Sequence, residues 1–413
     1  MADANLAMPQ SSNIEIEFLS SDANSDDEAL SSPWRSNTAR STSDELKGLP
    51  NTRPDFRLAS HALSPAPASG VNALQRIVAT TLTPTAFFDA KLYQVDEWLL
   101  FLGGWSPPVS GKASVAMLWL FEINTTRWLQ LNTTGIQPAP RARQTSVLLE
   151  ANATTAVFLL RGGIILVDEE YTPPWVPTAA DTVSDEMFTL TVNISALPPN
   201  PSTDSQAAVW ARVEPLAFGQ GDKPSARVYE SMGLLGRCVV VYGGLNVTVL
   251  NDTWAFDTLT GQWHSLDGPG QLSPGPRCLH VSSVLASRFV VAGGCPTVGD
   301  ANPLCTDGNT LHDAWELTVS PDCTAGTWTS LTVQGTFPSV LGSATTNVPA
   351  PNQALVYSGI AAGGAGSSGV WNVTRLAGDV LSVSALDPYP HSPLPLGRCV
   401  LWMERRGGGD VGR

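Results

Sequence analysis

A pair of adjacent glycines closes a short apolar run at four places along this chain. The pairs are Gly103-Gly104, Gly162-Gly163, Gly243-Gly244 and Gly293-Gly294, and an aromatic residue follows each one downstream. A weaker fifth copy reads Leu355-Val356-Tyr357-Ser358-Gly359. Repetition at a period of about 50 residues is typical of β-propellers and solenoids. The repeat therefore predicts several copies of one structural unit, and it favours a binding surface over an enzyme.

The composition predicts an all-β chain. Of its 413 residues, 43% are hydrophobic, which is enough for a sizeable core. Short runs of β-branched and aromatic residues alternate with turn signals supplied by 36 glycines and 32 prolines. No long segment keeps an apolar period of about 3.6 residues, as a helix would require.

The charge excludes one class of partner. The formal net charge is −14, and nucleic-acid binding needs a basic surface, so we expect no nucleic-acid partner.

No apolar stretch approaches about 18 residues, so the sequence predicts no membrane-spanning segment. Residues 1–20 also lack the basic and apolar regions of a secretory signal.

The third unit shows the pattern of strands most clearly. It predicts a strand over 229–235, a turn at Gly236, and a second strand over 237–242 that ends at the diglycine. A loop then leads to a third strand over 253–257, and a fourth strand begins at Gln262. Four antiparallel strands in this order form one propeller blade.

The same residues resemble the kelch repeat. Unit three has Arg227, then the diglycine, Asn251-Asp252-Thr253-Trp254-Ala255-Phe256-Asp257, and finally Trp263; unit four repeats this order from Arg277. Units one and two carry the diglycine and later aromatics, with Asp185-Glu186-Met187-Phe188 replacing the Asp-x-Trp segment in unit two. The resemblance covers about residues 75–400. The residues assigned to the repeat scaffold are Gly103, Gly104, Trp119, Trp128, Gly162, Gly163, Gly243, Gly244, Trp254, Trp263, Gly293, Gly294, Trp315 and Trp328.

The resemblance implies a kelch-type β-propeller with about five complete four-stranded blades and an incomplete sixth. We assign residues 74–403 to the propeller and interpret the Ser-rich, acidic residues 1–70 as a disordered tail, because they hold too little apolar surface to fold. Residues 404–413 form a Gly/Arg-rich tail. Residues 76–82 and 399–403 would supply the outer and inner strands of the sixth blade. We interpret the missing middle strands as the mark of a truncated chain.

The sequence contains no recognisable catalytic or metal-binding motif. None of its five histidines has a metal-ligand spacing, and it has neither a nucleophile elbow nor a phosphate-binding glycine loop. We therefore predict no cofactor and no catalysis.

The six cysteines and the glycosylation sequons bear on the compartment. Cys295 and Cys305 fall in the long loop of unit four and are a candidate disulfide, whereas Cys238, Cys278 and Cys399 fit small apolar core positions. Seven Asn-x-Ser/Thr sequons occur, but those at Asn124 and Asn251 are also repeat turns. The excess slightly favours a secretory compartment, against a cytoplasmic alternative. The candidate N-glycosylation sites are Asn132, Asn152, Asn193, Asn246 and Asn372.

In a blade of this kind, the loops between strands two and three share one end with the connections between blades. The unit-two loop carries Tyr171 and Trp175 beside acidic residues, which is typical of interface anchors. By the resemblance, the repeat arginines lie near the central channel at that end, where they either grip partner carboxylates or brace the loops. The repeat position is held by Arg141 or Arg143 in unit two, of which we take Arg143. The arginine candidates for partner binding are then Arg143, Arg227, Arg277 and Arg398.

Together these observations predict a protein-interaction module of unidentified partner. Two alternatives stay open, a carbohydrate-binding extracellular propeller and an enzyme on the kelch fold, such as an oxidase or a glycan-processing enzyme. The fold by itself does not separate them.

Overall fold

The structure is a computed structural model. It describes residues 91–102, 118–123, 125, 127–166, 181–197, 207–215, 223–297, 310–335, 351–356 and 371–385 with their side chains. It describes residues 13–17, 74–77, 340–341, 344–347, 357, 360–361, 370, 386 and 400–404 by their strand backbone. A short 3₁₀ helix, Ile194–Ala196, is the single helix among these residues.

The strands, numbered in chain order, are β1 (Asn13–Glu17), β2 (Leu74–Ile77), β3 (Lys91–Val95), β4 (Trp98–Leu102), β5 (Leu118–Glu122), β6 (Arg127–Leu131), β7 (Thr133–Gly135), β8 (Arg141–Ala142), β9 (Thr145–Ala151), β10 (Thr155–Arg161), β11 (Ile164–Ile165), β12 (Met187–Asn193), β13 (Ala208–Val213), β14 (Ser231–Leu235), β15 (Cys238–Tyr242), β16 (Leu245–Asn246), β17 (Thr248–Val249), β18 (Thr253–Asp257), β19 (Gln262–Ser265), β20 (Val281–Leu285), β21 (Arg288–Ala292), β22 (Ala314–Val319), β23 (Gly326–Gln334), β24 (Val340–Leu341), β25 (Ala344–Asn347), β26 (Gln353–Tyr357), β27 (Ile360–Ala361), β28 (Val370–Leu376), β29 (Val380–Leu386) and β30 (Val400–Glu404).

Five antiparallel meanders of four strands form blades 1 to 5, in the order of the five sequence units. Blade 1 is β3-β4-β5-β6, blade 2 is β9-β10-β12-β13, blade 3 is β14-β15-β18-β19, blade 4 is β20-β21-β22-β23 and blade 5 is β25-β26-β28-β29. The all-β kelch-type propeller predicted from the sequence is confirmed, and so are the four strands of unit three, within two residues at each end. The second strand of blade 3 is buried along its whole length, as a strand covered on both faces must be.

The first strand of each blade is the innermost one, and these strands contact one another in a ring. β3 lies against β9, β9 against β14, β14 against β20 and β20 against β25. β25 in turn contacts β3, so that five blades close the circle.

A sixth sheet has three strands in the order β2-β1-β30. β30, at one edge, lies within one residue of the inner strand predicted over 399–403. β2, at the other edge, overlaps the outer strand predicted over 76–82 at residues 76 and 77, and the rest of that prediction lies outside the described residues. β1 lies between them, parallel to β2 and antiparallel to β30. The prediction of a disordered segment over residues 1–70 did not anticipate β1 and otherwise lies outside the described residues, as does most of the 404–413 tail. Our interpretation of a truncated chain stays a prediction.

The diglycines are needed where neighbouring blades approach each other. In blade 3, Gly243 and Gly244 have φ of 61° and 101°. A Cβ on Gly243 would lie 2.6 Å from the carbonyl oxygen of Arg277 in blade 4, and a Cβ on Gly244 would lie 2.7 Å from that of Val228. Both the backbone conformation and the lack of space exclude a side chain. The pair at Gly162-Gly163 repeats these contacts against Arg227 and Ala142.

The second tryptophan of the repeat packs onto the preceding blade. Trp328 of blade 4 contacts the Tyr242 ring of blade 3 at 4.9 Å, and its indole N–H donates to the Thr253 hydroxyl at 3.1 Å. Trp263 of blade 3 lies 5.5 Å from the guanidinium of Arg161 in blade 2. The predicted structural role of these tryptophans, to fill the space between blades, agrees with these contacts.

At two interfaces the outer strand of one blade continues onto the next blade. β7 follows β6 directly and pairs in parallel with β13 of blade 2. In the same way, the last residues of β23 pair in parallel with β29 of blade 5. Gly135 and Gly335 end these extensions, and a Cβ on either would lie within about 2.1 Å of a carbonyl oxygen of the neighbouring strand. The sequence analysis missed this feature, although both segments share a Leu-x-x-x-Gly pattern.

A disulfide joins blades 3 and 4. Cys238 begins β15 and is bonded to Cys323 in the turn between β22 and β23. The assignment of Cys238 as a free apolar core residue is therefore wrong, because the strand brings it against a cysteine of the next blade. Cys278 is a buried free thiol, as predicted, and burial raises its pKa to about 12.

Among the described residues, no helix has the length and the apolar character that crossing a bilayer demands.

We predict that Gly244→Ala lowers the free energy of unfolding by about 3 kcal/mol, because it adds a steric clash to a left-handed backbone. Gly236→Ala is the control, since Gly236 also has positive φ (61°) but no atom within 4 Å of an added Cβ. Gly236→Ala should lower the free energy of unfolding by about 1 kcal/mol, which is the cost of holding alanine in a left-handed backbone without a clash. Urea unfolding measures both, and equal losses would contradict the close approach.

Candidate functional site

The connections between blades and the loops between second and third strands leave the propeller at the same end, which we call the loop-bearing face. The base of each loop pairs with the connection beside it. Isolated or two-residue bridges join Ala142 to Ile164, Val228 to Leu245 and Cys278 to Cys295. All six residues are buried, and all of them except Ala142 belong to one apolar cluster under the face.

A buried arginine anchors each of these bases in blades 2, 3 and 4. One guanidinium nitrogen of Arg141, Arg227 or Arg277 donates to the carbonyl of the first glycine of its blade's pair, at 3.1 Å in all three blades. All three arginines have no exposed surface. We call each such arginine, with its glycine and carboxylate partners, an arginine node.

The carboxylate of the node comes from the residue that begins the Asp-x-Trp segment. Arg227 pairs with both oxygens of Asp252, and Arg277 pairs with both oxygens of Asp313 at 2.9 and 3.0 Å. The same residue's carbonyl accepts the N–H of the first glycine, for example from Gly293 to Asp313 at 3.0 Å. The tryptophan two residues on also donates its indole N–H to the carboxylate, at 2.7 Å in both blades. The node thus explains why arginine, diglycine, aspartate and tryptophan recur together.

Blade 2 builds the node from substitutes. Glu186 replaces the aspartate and accepts from Arg141 at 2.7 Å. Phe188 replaces the tryptophan, and the Arg141 guanidinium lies 5.2 Å from its ring centre. The sequence analysis noted this segment as a departure. The structure places it at the same positions, but only one carboxylate oxygen accepts from the arginine and a ring face replaces the indole N–H.

The nodes of blades 3 and 4 also bind the preceding blade through the main chain. The carbonyl of Arg277 accepts the N–H of Gly244 in blade 3 at 2.9 Å. The carbonyl of Arg227 accepts the N–H of Gly163 in blade 2 at 3.2 Å. The side chain of each arginine therefore braces its own blade while its backbone binds the preceding one.

The nodes set the protonation of their carboxylates. Burial by itself would raise the pKa values of Asp252 and Asp313, but the hydrogen bonds and positive charge of the arginines bring both below the usual range. The pKa of Glu186 is lowered in the same way by Arg141. All three carboxylates are therefore ionised at neutral pH, as ion pairing requires.

Three residues after Arg227 and after Arg277, a buried polar side chain reaches the preceding blade. Glu230 forms an ion pair with Arg161 at the end of β10, and His280 hydrogen-bonds Ser231 of blade 3 and contacts the Tyr242 ring at 5.5 Å. Burial raises the pKa of Glu230 in spite of Arg161, and it lowers the pKa of His280, which is neutral at pH 7. These contacts stabilise the interfaces between blades. The sequence analysis had not identified either residue.

The structure changes the set of candidate partner-binding arginines. Arg141, not Arg143, occupies the repeat position; Arg143 has a left-handed backbone and lies 5.2 Å from the Tyr229 ring. Arg227 and Arg277 are fully buried and bonded within the nodes. They therefore brace the loops, which was the second of the two alternatives, and have no exposed surface for a partner to contact. Arg398, Tyr171 and Trp175 lie outside the described residues, as do Gly103 and Gly104.

The other candidate residues divide into two groups. Cys295 is disulfide-bonded to a cysteine outside the described residues, so its pairing with Cys305 stays a prediction. Asn132, Asn152 and Asn193 are exposed, whereas Asn246 and Asn372 are half-buried. In the described part of the chain, no three His, Cys, Asp or Glu side chains converge as a metal site would require.

These features define the class of fold: it is an all-β propeller whose blades resemble kelch repeats. Residues 202–375 match the family model described as the KLHDC2/KLHL20/DRC7 Kelch-repeats domain. Kelch repeats generally act as protein-interaction modules and are typically not enzymes.

Two curated relatives are similar to parts of the chain. Host cell factor homolog hcf-1 of Caenorhabditis elegans is 26% identical over 218 residues, which is 49% of this chain and 25% of that protein. Rho GTPase-activating protein gacHH of Dictyostelium discoideum is 30% identical over 117 residues, which is 28% of this chain and 7% of that protein. The chain thus spans a quarter or less of the length of these relatives.

We predict that Arg277→Lys lowers the free energy of unfolding by about 3 kcal/mol, because lysine keeps the charge but loses the paired N–H groups. Arg212→Lys is the control, since Arg212 is half-exposed in its ion pairs with Glu214 and with Glu186 of the blade 2 node. Lysine keeps the charge there, so the change in stability should be less than about 0.5 kcal/mol. Urea unfolding at neutral pH measures both variants. Similar losses would contradict the node.

Acid should weaken the nodes. Because the folded-state pKa values of Asp252 and Asp313 are lowered, their contribution is complete above the unfolded value of about 3.9 and is lost as the pH falls through the folded values. We expect the unfolding free energy of the wild type to fall more steeply between about pH 6 and pH 2 than that of Asp252→Asn/Asp313→Asn. Parallel profiles would contradict this prediction.

Proposed function

We propose that this chain is a non-enzymatic protein-interaction module that binds its partner through the loop-bearing face. The observation that carries the proposal is the contrast between the two ends of the blades. The first and second strands are joined by short turns, such as residues 96–97, 236–237 and 286–287. The second and third strands of blades 2, 3 and 4 are joined by residues 162–186, 243–252 and 293–313, which differ widely in length.

The arginine nodes support variable loops at one end of the blades. Each node holds the first glycine and the residue before the third strand, which are the two ends of a loop. The loop between them can vary while its ends stay fixed, because the hydrogen bonds of the node use the backbone and the buried arginine. A rigid base with a variable loop is the usual arrangement of binding surfaces on β scaffolds.

The blade 3 loop presents an ordered apolar tip. β16 and β17 form a small hairpin, and Val247 at its turn is 58% exposed with φ of 61°. A branched apolar side chain in a left-handed turn is costly both to expose and to hold in place. Contact with a partner would offset the cost of its exposure.

Within the blade 2 loop, Tyr171 and Trp175 remain our candidate anchors, because aromatic side chains beside charged residues are frequent at interface hot spots. We do not include Arg227 or Arg277 in the binding surface, because both are buried. The net charge of −14 favours a protein partner over a nucleic acid.

We predict that Val247→Glu reduces the amount of partner recovered with the purified protein at least about tenfold, because a charge would be placed in an apolar contact. Quantitative mass spectrometry of material recovered from the protein's own cells measures the loss. Tyr171→Ala and Trp175→Ala should act in the same direction.

Leu259→Glu is the matched control. Leu259 is 56% exposed in the turn between β18 and β19, at the opposite end of the same blade. It should leave partner recovery unchanged. Loss with Leu259→Glu and none with Val247→Glu would move the binding surface to the other end and overturn the proposal.

A further inference from the structure

We propose that three N-linked oligosaccharides, at Asn132, Asn152 and Asn193, cover one end of the blade 2 sheet. The sequence offers seven sequons spread over the chain, and spacing in sequence does not distinguish them. The fold brings these three together and sets them apart from the others. The inference concerns a modification site and does not depend on the proposed partner.

The pairing of the strands places the three asparagines side by side. One row of paired residues crosses the sheet from Ala151 through Ala156, Val192 and Ala208 to Thr133. Asn152 follows the first residue of this row, Asn193 follows Val192, and Asn132 precedes Thr133. Since neighbouring strands lie about 4.8 Å apart, Asn193 is about 10 Å from each of the other two positions.

The extension of blade 1 onto blade 2 is essential to this grouping. Asn132 stands between β6 and β7, and only the parallel pairing of β7 with β13 brings it to the blade 2 sheet. The other two sequons belong to blade 2 itself. Asn152 lies in the turn between its first and second strands, and Asn193 lies where its third strand ends.

All three asparagines are exposed, and two of them stand in tight polar turns. The Thr154 hydroxyl donates to the Asn152 side-chain oxygen at 2.8 Å, and the Ser195 hydroxyl donates to that of Asn193 at 2.8 Å. In both cases the hydroxyl residue that defines the sequon is bonded to the amide oxygen. The amide nitrogen is the atom that would carry the sugar.

The remaining sequons in the described part of the chain are placed differently. Asn372 lies in the middle of β28, between Leu355 of β26 and Ser384 of β29, where a glycan would meet paired strands on both sides. The sequon at Asn251 depends on Thr253, whose hydroxyl is buried and bonded to Trp328. Asn246 is half-buried in the hairpin of the loop-bearing face.

The disulfides point to the compartment that glycosylation requires. Cys238 and Cys323 are bonded, and Cys295 is bonded to another cysteine. Structural disulfides form and persist in oxidising compartments, which are also where asparagine-linked glycans are attached. Two independent features of the chain thus indicate the secretory route.

The modification is a simple transfer. The side-chain amide nitrogen of asparagine forms a bond to the anomeric carbon of an oligosaccharide carried on a lipid pyrophosphate. The bond from that carbon to the phosphate oxygen breaks, the lipid pyrophosphate leaves, and the amide loses one proton. The lipid-linked oligosaccharide is the co-substrate, and no oxidant or reductant is involved.

The test is a site map of the protein purified from the cells that make it. Enzymatic release of asparagine-linked glycans converts each occupied asparagine to aspartate, which peptide mass spectrometry locates. We expect conversion at Asn132, Asn152 and Asn193 and none at Asn372. Absence of conversion at the three positions, or conversion at Asn372 in their place, would overturn the proposal.

Hydroxyl variants provide the matched controls. Thr154→Ala and Ser195→Ala should each remove one glycan while leaving the asparagine in place, and Thr154→Ser and Ser195→Thr should retain it. Electrophoretic mobility before and after glycan release measures each step. If the alanine variants keep the full set of glycans, the assigned positions are wrong.

Discussion

The structure depends on the hydrogen bonds that the node arginines make in two directions. The Arg277 guanidinium holds both ends of its own blade's loop, while its carbonyl accepts the N–H of Gly244 in the preceding blade. Such a shared group needs a backbone that can approach it without a side chain, which is why glycine recurs in pairs. The buried arginine in turn needs an ionised carboxylate, which is why aspartate or glutamate stands directly before the third strand of the blade.

Much of the scaffold could be predicted from the sequence, because the repeat combines apolar strand residues with glycines at the turns. The four strands of unit three follow from Gly236, the diglycine and the Thr258 to Gly261 turn. Contacts between blades were harder to predict. Cys238 and Cys323 are 85 residues apart, and nothing in their local sequence marks them as partners. Glu230 and His280 also resemble ordinary polar residues in the sequence, because their partners lie in the preceding blade.

The roles of the candidate site residues also depend on packing that the local sequence does not show. An arginine that recurs once per unit has the same sequence pattern whether it binds a partner or braces a loop. The deciding fact is burial, which follows from packing around the ring and cannot be read from spacing. The ambiguity between Arg141 and Arg143 has a similar origin. Arg143 is itself the left-handed residue two positions after the node arginine, and the sequence does not reveal that backbone conformation. Loop residues have no repeat to compare with, so their roles stay proposals.

The interfaces around the ring are joined by different means. Main-chain pairing of outer strands couples blade 1 to blade 2 and blade 4 to blade 5, whereas an ion pair and a disulfide serve the two interfaces between them. The blades are therefore not interchangeable modules, although their sequences repeat. Deleting or duplicating blade 1, 2, 4 or 5 would break the strand pairing that it shares with its neighbour. Such a chain is constrained to evolve by changing its loops while keeping its number and order of blades.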